Sequence, residues 1–215
     1  LLCVSDLPVK ELREKICPGK PVVVVEETAA NSGIREALAF ALRTEDPSVL
    51  VAGRDLGREF VKEAQRLKML IDVSHISDEG FWDLMDITQG PIIATHSNSR
   101  AVCGHSRNLT DDMFLHICKT GGVAGYNVCD EFTGEKPTLD TACDHFFRFL
   151  ELAPSGKNIA LGGDLDGVTY MPEGFHGVQS WPALAERLLQ RNLSEETVMN
   201  IFWNNALGVI DKCSM

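Results

Sequence analysis

The sequence has no apolar run near the ~18 residues that a membrane-spanning helix requires, so no span is expected. It opens on no charged-then-apolar leader, so no signal peptide is expected either. It has no cluster of Lys and Arg, and 31 acidic against 20 basic residues give a formal charge of -11. That excludes a global positive field, and nucleic acid is not an expected partner. No C-x-x-C occurs among the seven cysteines, an odd number, which reads as a reduced, intracellular and cytoplasmic chain. No sequence repeat appears. Histidine is absent before position 75, so any chemistry needing imidazole belongs to the later part of the chain.

What is present is enough for one large domain or two small ones: 215 residues, 44% of them hydrophobic. Residues 70–108 organise it. An apolar run at 70–74 ends at His75, a second at 91–95 ends at His96, and a helix-length segment at 77–88 lies between. Strand, helix, strand in that order predicts parallel neighbours whose C-terminal ends lie together, the end where α/β folds build sites. A single histidine there reads as a hydrogen-bonded surface or core group. Two at equivalent strand ends turn the reading toward one metal ion or a pair. Asp72 sits in the first apolar run, where a carboxylate needs partners. It points inward near His75, to orient a ligand histidine, or outward against a helix.

The flanking chain continues the alternation. Residues 57–68 predict an amphipathic helix, with Phe60, Val61, Ala64 and Leu67 on its apolar side. Ser77, Thr110 and Ser194 have the chemistry of helix N-caps. Residues 97–108 form a polar loop holding Arg100, His105 and Arg107, and near a metal an arginine can fork onto a substrate carboxylate. Residues 123–128 predict a strand in which Gly125 admits close approach of another backbone or a ligand. Residues 131–137 predict a polar loop, 139–150 a helix with His145 as a helix-packing or surface residue, and 158–162 a strand. That strand leads into Gly162-Gly163-Asp164-Leu165-Asp166-Gly167, where Asp164 can accept a proton or hold a water and Asp166 can support the loop. Residues 170–180 read as a rim loop and 182–191 as a helix. Residues 1–57 look different: a β-branched run at 22–25, then Glu26-Glu27, then a helix at 33–42. That order resembles a unit of the C-terminal domain of transketolase-like enzymes, and no function is built on it.

Four strand ends, near His75, His96, Asn127 and Asp164, share one face if the strands are parallel. Imidazole nitrogen and carboxylate oxygen suit zinc or another divalent transition ion, and a two-metal site suits amide hydrolysis. Two histidines and one aspartate are too few for a complete binuclear site.

Four motifs in order carry a resemblance. They are Ile71-Asp72-Val73-Ser74-His75, Ala94-Thr95-His96-Ser97-Asn98, His105-Ser106-Arg107-Asn108-Leu109-Thr110-Asp111 and the Gly162–Gly167 turn. Together they resemble the renal or membrane dipeptidase family of zinc peptidases over residues 56–211. The resemblance implies a TIM-like (β/α)8 barrel, of which residues 58–215 would be the C-terminal half, after an uncertain α/β segment at 1–57. It implies two zinc ions, with His75 and His96 as ligands, Arg107 on the terminal carboxylate of a dipeptide, and Asp164 at the catalytic water. Asp72 and Asp166 would support them. A homodimer is among the implied arrangements. The family's N-terminal His-x-Asp pair occurs nowhere in this sequence. Two alternatives stay open: another metal-dependent amidohydrolase, and an inactive or partner-dependent fragment of the family.

Overall fold

The computed structural model describes residues 54–214. The strand, Glu26-Glu27 and helix expected at 22–42 lie outside the described residues, as does nearly all of the 1–57 segment. The chain divides into two compact units. The described part of the smaller comprises residues 54–63 and 75–87, and that of the larger residues 64–74 and 88–214.

In the smaller unit, helix α1 (Arg54–Arg66, whose last residues enter the larger unit) carries Arg58, 3.7 Å from Asp83 of α2 (Asp78–Met85). Arg58, which has the like-charged Lys62 one turn along, thus finds an opposite charge outside its own helix. Ser77 caps α2 as its sequence anticipates: its hydroxyl accepts the Gly80 N–H, and Asp78 and Glu79 occupy the favourable first turn.

The larger unit supplies the strands. β1 (Ile71–Asp72) and β2 (Ile92–Ile93) pair in parallel, Ile71 with Ile92 and Asp72 with Ile93. β3 (Ala124–Asn127) and β4 (Ile159–Gly163) also pair in parallel. A single parallel bridge, Ala94 to Ala124, links the two pairs. Helices follow in alternation: α3 (Asp111–Thr120), α4 (Asp130–Thr133), α5 (Leu139–Leu152), α6 (Trp181–Gln190), α7 (Glu195–Met199) and α8 (Asn205–Ser214). A π-helical stretch, Asn200–Asn204, joins the last two. Thr110 and Ser194 cap α3 and α7, and Gly121 closes α3 in the left-handed conformation at φ 79°.

Two expectations are corrected here. The described residues do not form a TIM-like (β/α)8 barrel. They form two two-stranded parallel sheets, four strands in all, with no closure. A barrel needs every strand bonded on both sides around a tilted ring. Here β1 and β2 are two residues long, and the order is linear. Residues 131–137 are also not wholly loop, because α4 makes one helical turn there.

The core forms where α3 and α5 meet: the Phe114 and Phe149 rings stack at 4.0 Å, and Phe146 packs on Tyr126 of β3 at 5.0 Å. All four residues of β3 are buried, as a parallel strand covered on both faces requires. Val123, Ala160 and Val209 form a buried cluster, with Leu70, Ile93 and Ala206 packed against it. It makes a firm base for whatever the strand ends carry.

Candidate active site

His75 and His96 each stand three residues past the register pair Asp72–Ile93. His75 belongs to the smaller unit and is exposed, with φ 75°. The cluster that the larger unit assembles is Asp72, Ser74, Thr95, His96, Asn127 and Asp164.

Asp72 is exposed and turned along the sheet's C-terminal edge. Its Oδ1 accepts the N–H groups of Ser74 (2.9 Å) and Thr95 (3.0 Å), and its Oδ2 accepts the Thr95 hydroxyl at 2.5 Å. The carboxylate therefore ties the end of β1 to the end of β2. Ser74 repeats the tie, since its hydroxyl accepts the His96 N–H at 2.9 Å and lies 3.3 Å from the Ser97 hydroxyl. Thr95 Oγ1 lies 2.7 Å from His96 Nδ1. The other ring nitrogen, Nε2, lies 4.0 Å from Asp164 Oδ2.

Glycines set the backbone beneath. A Cβ on Gly125 would fall 2.2 Å from the Thr95 carbonyl oxygen, and one on Gly162 would fall 1.9 Å from the same atom. The close approach expected at Gly125 is thus that of Thr95. Gly162 presses on the same carbonyl, so residues 95–96 sit in a cradle that no other residue type at those two positions leaves intact.

Asp164 follows β4 at φ 62°, and its carboxylate crosses the turn to lie against Gly167, where a Cβ would meet Oδ1 at 2.3 Å. Left-handed backbone costs a non-glycine residue roughly 1–2 kcal/mol. Asp and His are among the side chains found there most often, and both His75 and Asp164 adopt it. Asn127, fully buried at the end of β3, donates through Nδ2 to Asp164 Oδ2 (3.2 Å) and to the His96 carbonyl (3.4 Å). Its Oδ1 accepts the Cys129 N–H at 2.7 Å. Asp166 lies exposed in the same turn.

The 97–109 loop is tied at its neck. Fully buried Asn98 exchanges two hydrogen bonds with the Asn127 backbone (2.8 and 2.9 Å), and Leu109 donates to the Asn98 carbonyl. Arg100 gives Nε to the Asn108 carbonyl and an Nη to the Ser106 carbonyl, so it holds the loop. Arg107 is different: its guanidinium lies over the Phe132 ring, 5.4 Å from the centroid, and its backbone N–H donates to His105 Nδ1. His105 packs on the same ring at 4.6 Å. Buried His145 fastens loop to helix, accepting the Ser99 N–H at Nδ1 with Nε2 2.9 Å from the Thr133 carbonyl. Burial pushes its pKa down, against the hydrogen bonds that raise it. The tilt toward the neutral ring suits this pairing, because Nε2 then carries the proton for Thr133. Of the two readings the sequence offers for His145, helix packing or surface, the buried one holds. Sequence reading gave Thr95 and Asn98 no role and placed Asn127 only as a strand end.

Among the described residues, no group of three or more His, Cys, Asp and Glu side chains is placed to hold a metal ion. His96 and Asp164 nonetheless have the donor chemistry that zinc takes, and they fall short of its usual four ligands in number. Burial pushes the Cys118 and Cys143 thiols up to about 11, so neither offers a ready thiolate.

The pattern of the family described as membrane dipeptidase (peptidase family M19) matches residues 50–214. The chain belongs to that family. An uncharacterized dipeptidase of Schizosaccharomyces pombe is 33% identical to this M19 chain over 156 residues, covering 71% of the chain but 38% of the relative. A Klebsiella pneumoniae protein encoded in the pqqA 5' region is 34% identical over 170 residues, 76% of this chain and 60% of that protein. A metallopeptidase from Rhodobacter sphaeroides, solved with a phosphinate mimic of the dipeptide L-Ala-D-Ala, superposes with a TM-score of 0.69 at 28% identity. That match covers 73% of this chain and 46% of the solved one. An amidohydrolase from Pseudomonas aeruginosa shares the fold (TM-score 0.70, 21% identity), covering 90% of this chain and 64% of that one. This M19 chain spans less than two thirds of the length of each of these relatives. Among the described residues, no helix is long and apolar enough to cross a membrane.

Proposed function

We propose that the protein acts as a zinc-dependent dipeptidase, with His75, His96, Asp164 and Arg107 as the site residues this chain contributes. Family membership supports a metal-dependent peptidase chemistry. The observation that carries the reading to particular residues is the His96–Asp164 pair. An imidazole nitrogen and a carboxylate oxygen face one another 4.0 Å apart at the ends of β2 and β4, too far for a hydrogen bond.

His75 and His96 would hold zinc, two ions in all, with the remaining ligands coming from outside the described residues. When bound, zinc supplies Lewis acidity to the scissile carbonyl and to the attacking water. The chain's own residues do the rest. Asp164, held at Oδ2 by Asn127, takes a proton from the attacking water and returns it to the departing amine. Arg107 grips the free α-carboxylate with its planar fork, and the Phe132 ring beneath limits its swing. A fixed grip on the terminal carboxylate selects dipeptides over longer chains. Asp72 supports His96, and Asp166 steadies the Asp164 turn.

The test is release of free alanine from L-Ala-D-Ala by the purified protein, before and after a chelator and again after zinc is restored. Activity lost with the chelator and regained with zinc is expected. Asp164→Asn should lower kcat roughly 10²–10⁴-fold, the usual worth of acid–base catalysis. Arg107→Lys should raise KM by about tenfold or more, the worth of one hydrogen bond to a charged group. Hydrolysis indifferent to the chelator, or cleavage of a cyclic amide in place of dipeptides, would overturn the reading.

A further inference from the structure

We infer that Asp72 and Thr95 act together as positioning residues that fix the tautomer of His96, leaving its Nε2 lone pair turned toward Asp164. The argument is a count of hydrogens. Asp72 is a carboxylate and can only accept. Its Oδ1 is occupied by two backbone N–H groups, from Ser74 and Thr95, which fixes the carboxylate plane. Its Oδ2 faces the Thr95 hydroxyl at 2.5 Å, a short charge-assisted contact, so the hydroxyl hydrogen goes there. Thr95 has one such hydrogen. The Ser74 hydroxyl lies 3.5 Å from Thr95 Oγ1, at the outer limit of a hydrogen bond, and does not compete with the shorter contact.

With its hydrogen spent, Thr95 Oγ1 has only lone pairs for His96 Nδ1, 2.7 Å away. The hydrogen in that contact must come from the ring. Neutral His96 therefore carries its proton at Nδ1 and its lone pair at Nε2. Thr95 has little room to move, because its carbonyl packs closely against the backbone at Gly125 and Gly162. The His96 backbone N–H is separately held by Ser74. A carboxylate–hydroxyl–imidazole chain of this kind does for a metal-binding histidine what a directly bonded carboxylate does: it fixes the ring and raises its basicity. Only the description of His96 as a ligand rests on the proposed function. The tautomer rests on the hydrogen count alone.

Asp72→Asn tests this with almost no change in shape. Oδ1 must still accept two N–H groups, so the new amide NH2 falls where Oδ2 was and donates to Thr95. The Thr95 hydrogen is then released toward His96 Nδ1, and the ring proton moves to Nε2, a wrong-tautomer effect without rearrangement. The measurement is long-range 1H–15N NMR of the imidazole rings in the whole, metal-free, 15N-labelled protein. Wild type is expected to show His96 protonated at Nδ1, and Asp72→Asn at Nε2. Thr95→Val should also lose the Nδ1 form, and Thr95→Ser should keep it. Amide spectra of each variant check that the fold survives, and Thr95→Ser keeps the test decisive if Thr95→Val does not fold. Wild-type His96 protonated at Nε2, or Asp72→Asn leaving the tautomer unchanged, overturns the inference. Zinc affinity, by competition with a chromophoric chelator, should fall about 10–100-fold in Asp72→Asn. A tautomer that switches in a protein with no zinc affinity would sink the metallopeptidase reading and uphold the tautomer assignment.

Discussion

Gly162→Ala is a one-carbon change with a calculable consequence. The added Cβ would lie 1.9 Å from the Thr95 carbonyl oxygen, 2.9 Å from its carbon and 3.1 Å from His96 Cα. Since Cβ atoms essentially never approach a neighbour within 3.0 Å, the gap to the oxygen must open by at least about 1.1 Å (3.0 minus 1.9). The obstacle is backbone, held by the Thr95 N–H on Asp72, so no side chain can swing aside. Overpacking of this kind costs about 1–3 kcal/mol, occasionally more. For a chain of this size that corresponds to a loss in Tm of roughly 2–12 °C. A shift near 1 Å at a reacting group can cost on the order of 10²-fold in rate, so activity should fall further than stability. The assay is thermal unfolding of Gly162→Ala beside Gly104→Ala, where the new methyl meets nothing within 4 Å, with the His96 amide resonance as a local probe. A Tm equal to that of Gly104→Ala, with the His96 resonance unmoved, would refute the cradle.

Two further predictions concern stability. The His145 pKa is lowered on folding, so the unfolded chain binds the extra proton first. Its contribution is therefore complete above the unfolded value near 6.5 and is lost as pH falls from there through the folded value, at up to about 1.4 kcal/mol per pH unit. Urea unfolding from pH 7 to 5 should show wild type losing stability faster than His145→Asn, and parallel profiles would refute it. Gly208 lies within α8 with nothing within 4 Å of an added methyl. Gly208→Ala should raise stability by about 0.5–1 kcal/mol and Tm by roughly 1–4 °C, and a lower Tm would show a packing role for the glycine.

Local chemistry is the legible part. Ser77, Thr110 and Ser194 cap helices where their hydroxyls predict, and β1, β2 and β3 lie within their apolar runs, cut shorter at β1 and β2, while β4 runs one residue past its expected end, to Gly163. A strand's length depends on how far its neighbour follows it, which one run of residues does not encode. The turn at Asp130–Thr133 is hidden because four residues are too few for a helical period to show. Barrel closure rests on the resemblance alone, and the described residues supply a row of four strands without the ring. In the site, the sequence leaves Asp72 two directions, inward near His75 or outward against a helix, and the fold turns it along the sheet edge beside Thr95. The roles of Thr95 and Asn127 escape a reading along the chain because their partners are distant: Asp72 lies 23 positions from Thr95, and Asp164 lies 37 from Asn127. Gly125 is the one informative signal of a close approach. A glycine within a buried strand gives up side-chain packing, and room for another backbone is what it gains.

Asn98 meets Asn127 with a side-chain amide that takes one hydrogen bond and gives another, as a neighbouring strand's peptide would. It works as a counterfeit strand residue: the sheet's pairing runs one step further while the main chain has already turned away. The Leu109 N–H on the Asn98 carbonyl and the Arg100 N–H on the Leu109 carbonyl then knot the loop shut at that point. Residues 101–107 lie beyond the knot, where the Cys103 thiol donates to the Glu131 carbonyl and His105 and Arg107 pack on Phe132. A substitution there would move Arg107 while leaving the hydrogen bonds that set β2 against β3 untouched. If Arg107 grips the substrate as proposed, selectivity in this fold can change on a separate clock from the chemistry.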